Sequence, residues 1–148
     1  MISLADARDV ADVARLLWLD THGDEPAQES ADAFEATLAQ WWVAHQDSHL
    51  AFVARVDAKI VGMAWVALVA RVPRPGATSR LSADIQSVFV RPEHRGQGIG
   101  SALVEAASDH AMLLGSQRVT VCSGRRAVPI YERLGFESSR QLLQRRPM

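Results

Sequence analysis

The chemistry-bearing residues crowd into one stretch, VRPEHRGQGIGS, where Gly96, Gly98 and Gly100 alternate with Gln97 and Ile99 directly behind Arg95. So much bare backbone serves one of two ends. It can wrap an anion, because a helix N-terminus carries unpaired N–H groups and a partial positive charge, and a Cβ would hold a phosphate oxygen away from them. It can also be no more than a flexible turn. Two familiar phosphate loops are excluded. No Gly-Lys-Ser/Thr follows, and Ser101 stands where a dinucleotide-binding turn wants Gly or Ala.

Other candidates carry less. His45 and His49 have the i, i+4 spacing of zinc ligands, but no Glu follows His45 and a strand begins at Leu50, so the pair reads as surface at a helix end and no metal is expected. His110 falls on the apolar face of a helix and reads as a core histidine. Cys122 lies in a buried-looking strand with no His or Asp beside it, which argues against a nucleophile. Trp41 and Trp42 divide between core and a cleft or interface.

The elements that must hold these residues follow from periodicity. Asp6 is a helix cap with Asp9 three residues on, ahead of the stripe Val10, Val13, Ala14, Leu17; a second helix carries Phe34, Leu38 and Trp41. Runs 50–56 and 60–70 are strands joined by a polar turn at 57–59, and 71–80 is a loop with two prolines and a glycine. A strand over 81–90 leads into the glycine stretch. A long helix runs from Ile99 to Leu114 and ends at Gly115. A strand over 118–122, a short helix over 127–134 and a last strand over 137–144 complete the order. Alternation along 81–90 puts Asp84 and Gln86 on one face and Ile85 and Phe89 on the other. The fold class is α/β: an antiparallel meander feeding a strand–helix–strand crossover.

Composition narrows the class. A chain of 148 residues with 48% apolar content suits a single domain over 1–148. A net charge of −1 gives no basic excess for nucleic acid. One cysteine fits a reducing compartment, and neither a basic leader nor a span of about 20 apolar residues is present, so a cytoplasmic chain without a membrane partner is expected. Charge is unevenly spread. Residues 17–54 contain no Lys or Arg but include Asp20, Asp24, Glu25 and Glu29, whereas arginines outnumber acids from Arg91 onward. Such separation can steer two ligands to two ends of a molecule, or be solvated surface.

Arg95-Gly96-Gln97-Gly98-Ile99-Gly100 resembles the Arg/Gln-x-x-Gly-x-Gly/Ala signature of the GCN5-related N-acetyltransferases. Val90-Arg91-Pro92-Glu93 is similar to that family's strand end, and Tyr131-Glu132-Arg133-Leu134-Gly135-Phe136 to its Tyr-x-x-Leu-Gly-Phe segment. The resemblance covers the whole chain in element order and is strongest over 81–140. It implies a mixed, mostly antiparallel sheet flanked by helices, with two strands splayed into an acyl-CoA cleft. It also implies acetyl-CoA as co-substrate. Backbone N–H groups from Arg95 to Ser101 would hold the pyrophosphate, with the Arg95 side chain adding charge. Val88, Phe89 and Val90 would pair with the pantetheine arm beside a bulge, and an N–H near Val88 or Phe89 would polarise the thioester carbonyl.

Acetyl transfer needs a neutral amine, so a proton must leave an ammonium of pKa about 10.4. Asp84, eleven residues before Arg95 and where relatives often place a carboxylate, is the candidate base, directly or through water. Tyr131 is the candidate acid toward the departing thiolate, or a packing ring. Many relatives carry an Asn after the strand over 118–122; here Ser123 is the substitute donor, and Arg125 or Arg126 either reaches the adenosine phosphate or is surface charge. The acceptor expected from the acidic segment is a cationic primary amine or peptide terminus, although Arg71, Arg74 and Arg80 could clamp an acceptor carboxylate instead. The alternative function is a non-catalytic acyl-CoA-binding regulatory module; a nucleotide-phosphate binder is a third reading. The sequence leaves a homodimer open.

Overall fold

The computed structural model describes residues 1–123 and 127–148. A capping box closes a 3-10 turn, Ala7–Asp9, that leads into the first helix: the Arg8 N–H donates to Asp6 Oδ1 at 2.9 Å and the Asp6 N–H to Asp9 Oδ2 at 3.0 Å. The order is β1 (Ile2–Leu4), α1 (Val10–His22), α2 (Gln28–His45), β2 (His49–Val56), β3 (Lys59–Arg71), β4 (Arg80–Val90), α3 (Ile99–Leu113), β5 (Ser116–Val121) and α4 (Val128–Arg133). The five strands lie side by side in chain order, antiparallel except for the β4–β5 pair, which is parallel and joined through α3.

Two apolar layers sandwich this sheet. On one face Leu103, Val104, Ala107 and Ala111 of α3 pack on Phe52, Val61, Val66 and Ile85, with Tyr131, Leu134 and Phe136 at the margin. On the other, Val13, Ala14 and Leu16 of α1 and Leu38 of α2 cover Val53, Met63, Trp65 and Phe89. Leu16, Met63 and Leu103 are among the largest fully buried side chains, and burying each stabilises the fold by about 1.5–3 kcal/mol. Among the described residues no helix is long and apolar enough to cross a membrane.

The structure corrects three expectations. Ile85 and Phe89 face opposite layers: Val66 pairs with Ile85 and Trp65 with Ser87, so Gln86 is an extra residue in β4, and a bulge of one residue inverts the alternation beyond it. Residues 137–144 form no strand. They follow Gly135 in an exposed, irregular segment, and Leu142 and Leu143 stand 72% and 87% exposed. Cys122 is exposed rather than buried, lying just past the end of β5. The β2–β3 hairpin turns through Asp57 and Ala58, both left-handed with φ of 50° and 65°.

Candidate active site

The glycine stretch forms the junction from β4 into α3. Gly98 caps α3 at φ 81° with no side-chain capping hydrogen bond, and the first helical N–H to close is that of Ala102, on Gly98 O at 3.0 Å. The N–H groups of Ile99, Gly100 and Ser101 are therefore left for an external acceptor. Gly96 is also left-handed, at φ 78°, and a Cβ at either glycine would meet no heavy atom within 4 Å. Backbone conformation, not crowding, demands glycine there, and the space it leaves open is what an anion would fill. Arg95 sits against the strand end: its Nε donates to Val90 O at 2.8 Å and its guanidinium lies 5.2 Å from the Phe89 ring centroid. Its charge opposes the desolvation that raises the Asp20 carboxyl, so the end of α1 approaches this loop.

Beside the cradle the sheet opens. The β4–β5 pairing ends at Ile85 with Val121, one residue before the bulge. Arg91 N–H donates to Val61 O at 2.8 Å. Because strand groups alternate, Phe89 then spends its backbone on β3, while Val88 and Val90 turn theirs toward the gap. Arg95 occupies the Val90 carbonyl. That leaves the Val88 N–H and C=O and the Val90 N–H facing the slot. Ser123 follows β5 by two residues, whereas Arg126, with Gly124 and Arg125, lies outside the described residues.

The two acid–base candidates stand on opposite faces of the sheet. Asp84, between Ala83 and Ile85 of the α3 layer, points to the α1–α2 side, and Thr120 Oγ1 donates to its Oδ1 at 3.0 Å. Thr120 was not legible as a partner of Asp84; the parallel register sets it opposite that residue. Tyr131 is half-buried on the α3 side, in the cluster that Val88 and Val121 join, and burial raises its pKa above the usual 10.0.

The histidine pair is not plain surface. His45 stacks on Trp41 at 4.3 Å between centroids, and His49 stands edge-on to Trp41 at 4.9 Å and to His45 at 5.7 Å. His49 Nδ1 lies 2.8 Å from Ser48 Oγ, and both burial and His45 lower its pKa from 6.5. Among the described residues no group of three or more His, Cys, Asp or Glu could hold a metal ion. The acidic segment is partly neutralised, since Glu25 takes Arg91 at 3.0 Å and Arg15 at 3.2 Å, which hold its carboxyl below the usual range.

The family model described as Acetyltransferase (GNAT) family matches residues 10–136. The chain belongs to the GNAT acetyltransferase family. An uncharacterized N-acetyltransferase of Methanocaldococcus jannaschii is 33% identical over 67% of this chain and 45% of its own length. The glucosamine 6-phosphate N-acetyltransferase of Trypanosoma brucei brucei is 31% identical over 59% of this chain and 57% of its own. The chain thus spans about half the length of the curated relatives it matches. In three dimensions it resembles a predicted acetyltransferase from Clostridium acetobutylicum crystallised with acetyl-CoA, at a TM-score of 0.73 over 99% of this chain and 95% of that one, with 17% identity. The GNAT fold is therefore present, with its open, mostly antiparallel sheet flanked by helices.

Proposed function

We propose that this GNAT chain, as one domain over 1–148, is an acetyl-CoA-dependent N-acetyltransferase that acetylates a primary amine by direct attack in a ternary complex. The observation that carries the reading is the end of the β4–β5 pairing at Ile85, on the strand that runs on into the Gly96–Gly98 cradle. Acetyl-CoA supplies an activated acetyl thioester. The α3 N-terminus, from Gly98 to Ser101, would hold its pyrophosphate, with Arg95 adding charge and Gln97 and Ser123 within the same reading as contacts. Val88 and Val90 would pair with the pantetheine arm, and the Val88 N–H would polarise the carbonyl, a reading supported by Phe89 spending its backbone on β3. Asp84, or a water on it, would take the ammonium proton from the sheet's α1–α2 side. Tyr131 would return a proton to the thiolate from the other side; a phenol kept neutral by burial is suited to that.

The charges bear on the acceptor. Asp24 and Glu29 remain exposed to draw a cationic amine, but Glu25 is engaged by two arginines. Arg71 and Arg80 face each other across the β3–β4 hairpin, and the Arg80 pKa is lowered by desolvation first and then by Arg71 and Arg74, so an anion would relieve the repulsion at this end. An amine that also bears an anionic group satisfies both ends; the substrate in the Trypanosoma relative's name, glucosamine 6-phosphate, is of that kind. The deciding experiment is thiol release from acetyl-CoA with cationic, neutral and phosphorylated amines, with acetylated product identified by mass. Tight coenzyme A binding with no product from any amine would favour the non-catalytic acyl-CoA-binding module.

A further inference from the structure

The acetyltransferase reading leaves one apolar hollow unused. Between α2 and the β1–α1 connection lies a groove of about 290 Å³, whose lining includes Leu4, Val10, Ala39, Trp42 and Val43. Leu4 is 45% and Val43 70% exposed, so apolar surface faces solvent there. Glu35 lies four residues before Ala39 and eight before Val43, on the same stripe of α2, and Asp47 follows the helix cap Gln46. Residues 28–48 contain no Lys or Arg. Asp6, at the rim, already holds Arg8 at 2.8 Å. The groove is thus an apolar floor between two uncompensated carboxylates.

Residues 137–148 carry the complementary pattern. Every one of them is exposed, and Leu142 and Leu143 stand between Arg140 and the pair Arg145–Arg146. Arg140 to Arg145 is five residues, about 17 Å when extended, and Glu35 to Gln46, beside Asp47, is eleven residues of helix rise, also about 17 Å. The two patterns agree in length, in their apolar centres and in opposite charge at the ends. Within one chain they do not meet. Phe136, where the tail begins, packs in the α3 layer, whereas Val10 and Trp42 belong to the α1–α2 layer, so the sheet stands between. No residue of 137–148 lines the groove.

We propose that the groove along α2 receives residues 140–146 of a second copy of this chain, and that the exchange is reciprocal. Each copy carries one tail and one groove, so a two-fold axis satisfies both at once and closes the assembly as a dimer. Successive side chains of an extended segment point to opposite sides, and a groove with two apolar walls therefore suits an adjacent leucine pair. One leucine turns to Ala39 and Val43 of α2, the other to Leu4 and Val10. Arg140 and Arg145 lie at the carboxylate ends. Exposed ion pairs add little to affinity, so the leucines hold the tail and the charges set its register. The pairing is independent of which amine is acetylated.

Sedimentation equilibrium of the full chain over a range of concentrations is the test. The mass should rise from monomer to dimer and stop there. Val43→Glu changes an exposed helix position, and Leu142→Ser with Leu143→Ser changes only exposed tail residues, so both variants should keep the wild-type circular-dichroism spectrum. Each should weaken the dimer at least about tenfold in Kd. Mixing the two variants should recover a dimer tighter than either forms alone, because the intact tail of one still meets the intact groove of the other. A chain that stays monomeric, a dimer that both variants leave intact, or a mixture no tighter than its components overturns the proposal. A monomer that takes up an apolar dye, with uptake lost in Val43→Glu, overturns it in favour of a small apolar ligand.

Discussion

Tyr131 meets the Phe136 ring edge-on, with centroids 5.5 Å apart, on a helix that ends two residues later. Burial disfavours its phenolate, so the pKa lies above 10.0. The proton that the thiolate needs is therefore present at neutral pH, and kcat should show no alkaline loss from this residue below about pH 10. The same shift has a stability consequence. The native state holds the Tyr131 proton more tightly than the unfolded chain does, so this contribution is intact below the unfolded pKa and is lost as pH rises above 10. Tyr131→Phe keeps the ring contacts and removes only the hydroxyl. We expect kcat to drop about 10²- to 10⁴-fold with coenzyme A affinity retained, measured by single turnover and calorimetry. An unchanged single-turnover rate would leave Tyr131 as a packing ring.

At the scale of elements, the cradle and the hairpin make separate predictions. Gly98→Val forces a β-branched residue to φ 81° and projects a side chain into open space at the α3 N-terminus. Coenzyme A affinity should fall at least about tenfold, or 1.4 kcal/mol, while the circular-dichroism spectrum is kept. Equal affinity would remove the loop from the binding site. Ala58 holds a left-handed backbone at φ 65°, a conformation that costs a non-glycine residue about 1 kcal/mol, and hairpins of this kind prefer Asp-Gly. Ala58→Gly should raise Tm by about 2–4 °C in thermal unfolding, and a fall would mean that unfolded-state entropy outweighs the relief.

These elements also show what could be read from one dimension. α3 and its glycine entry were legible because apolar residues recur at helical spacing from Ile99 and because the glycines stand where positive φ is needed. Asp84 was legible as a strand carboxylate. Its relation to Phe89 was not, since the extra residue Gln86 shows only in the register of β4 against β3 and leaves no local mark. The surroundings of His49 were hidden for the same reason. Its neighbours Trp41 and His45 are on a helix, and only the packing of α2 on β2 turns an i, i+4 pair into a cluster of touching rings. Leu142 and Leu143 illustrate the opposite error, β-like residues that stand exposed outside the sheet.

Over the whole molecule, the separation of charge was visible in the sequence but its pairing was not. Glu25 lies in the acidic connection between α1 and α2, yet its carboxylate is held by Arg15 of α1 and by Arg91, the residue that follows β4. The segment proposed to border the acceptor is thereby fastened next to the loop proposed to hold the co-substrate. Two ligands that share such a fastener cannot bind independently. Whatever the first does to the Glu25–Arg91 contact, the second encounters already done, and the effect must be equal in both directions. Exposed pairs of this kind contribute roughly 0.2–1 kcal/mol, so the coupling should change either affinity by no more than about fivefold. Coenzyme A titrated with and without a saturating acceptor should reveal that factor, and Glu25→Gln should bring it to one. A coupling that survives the substitution would have to travel through the sheet instead.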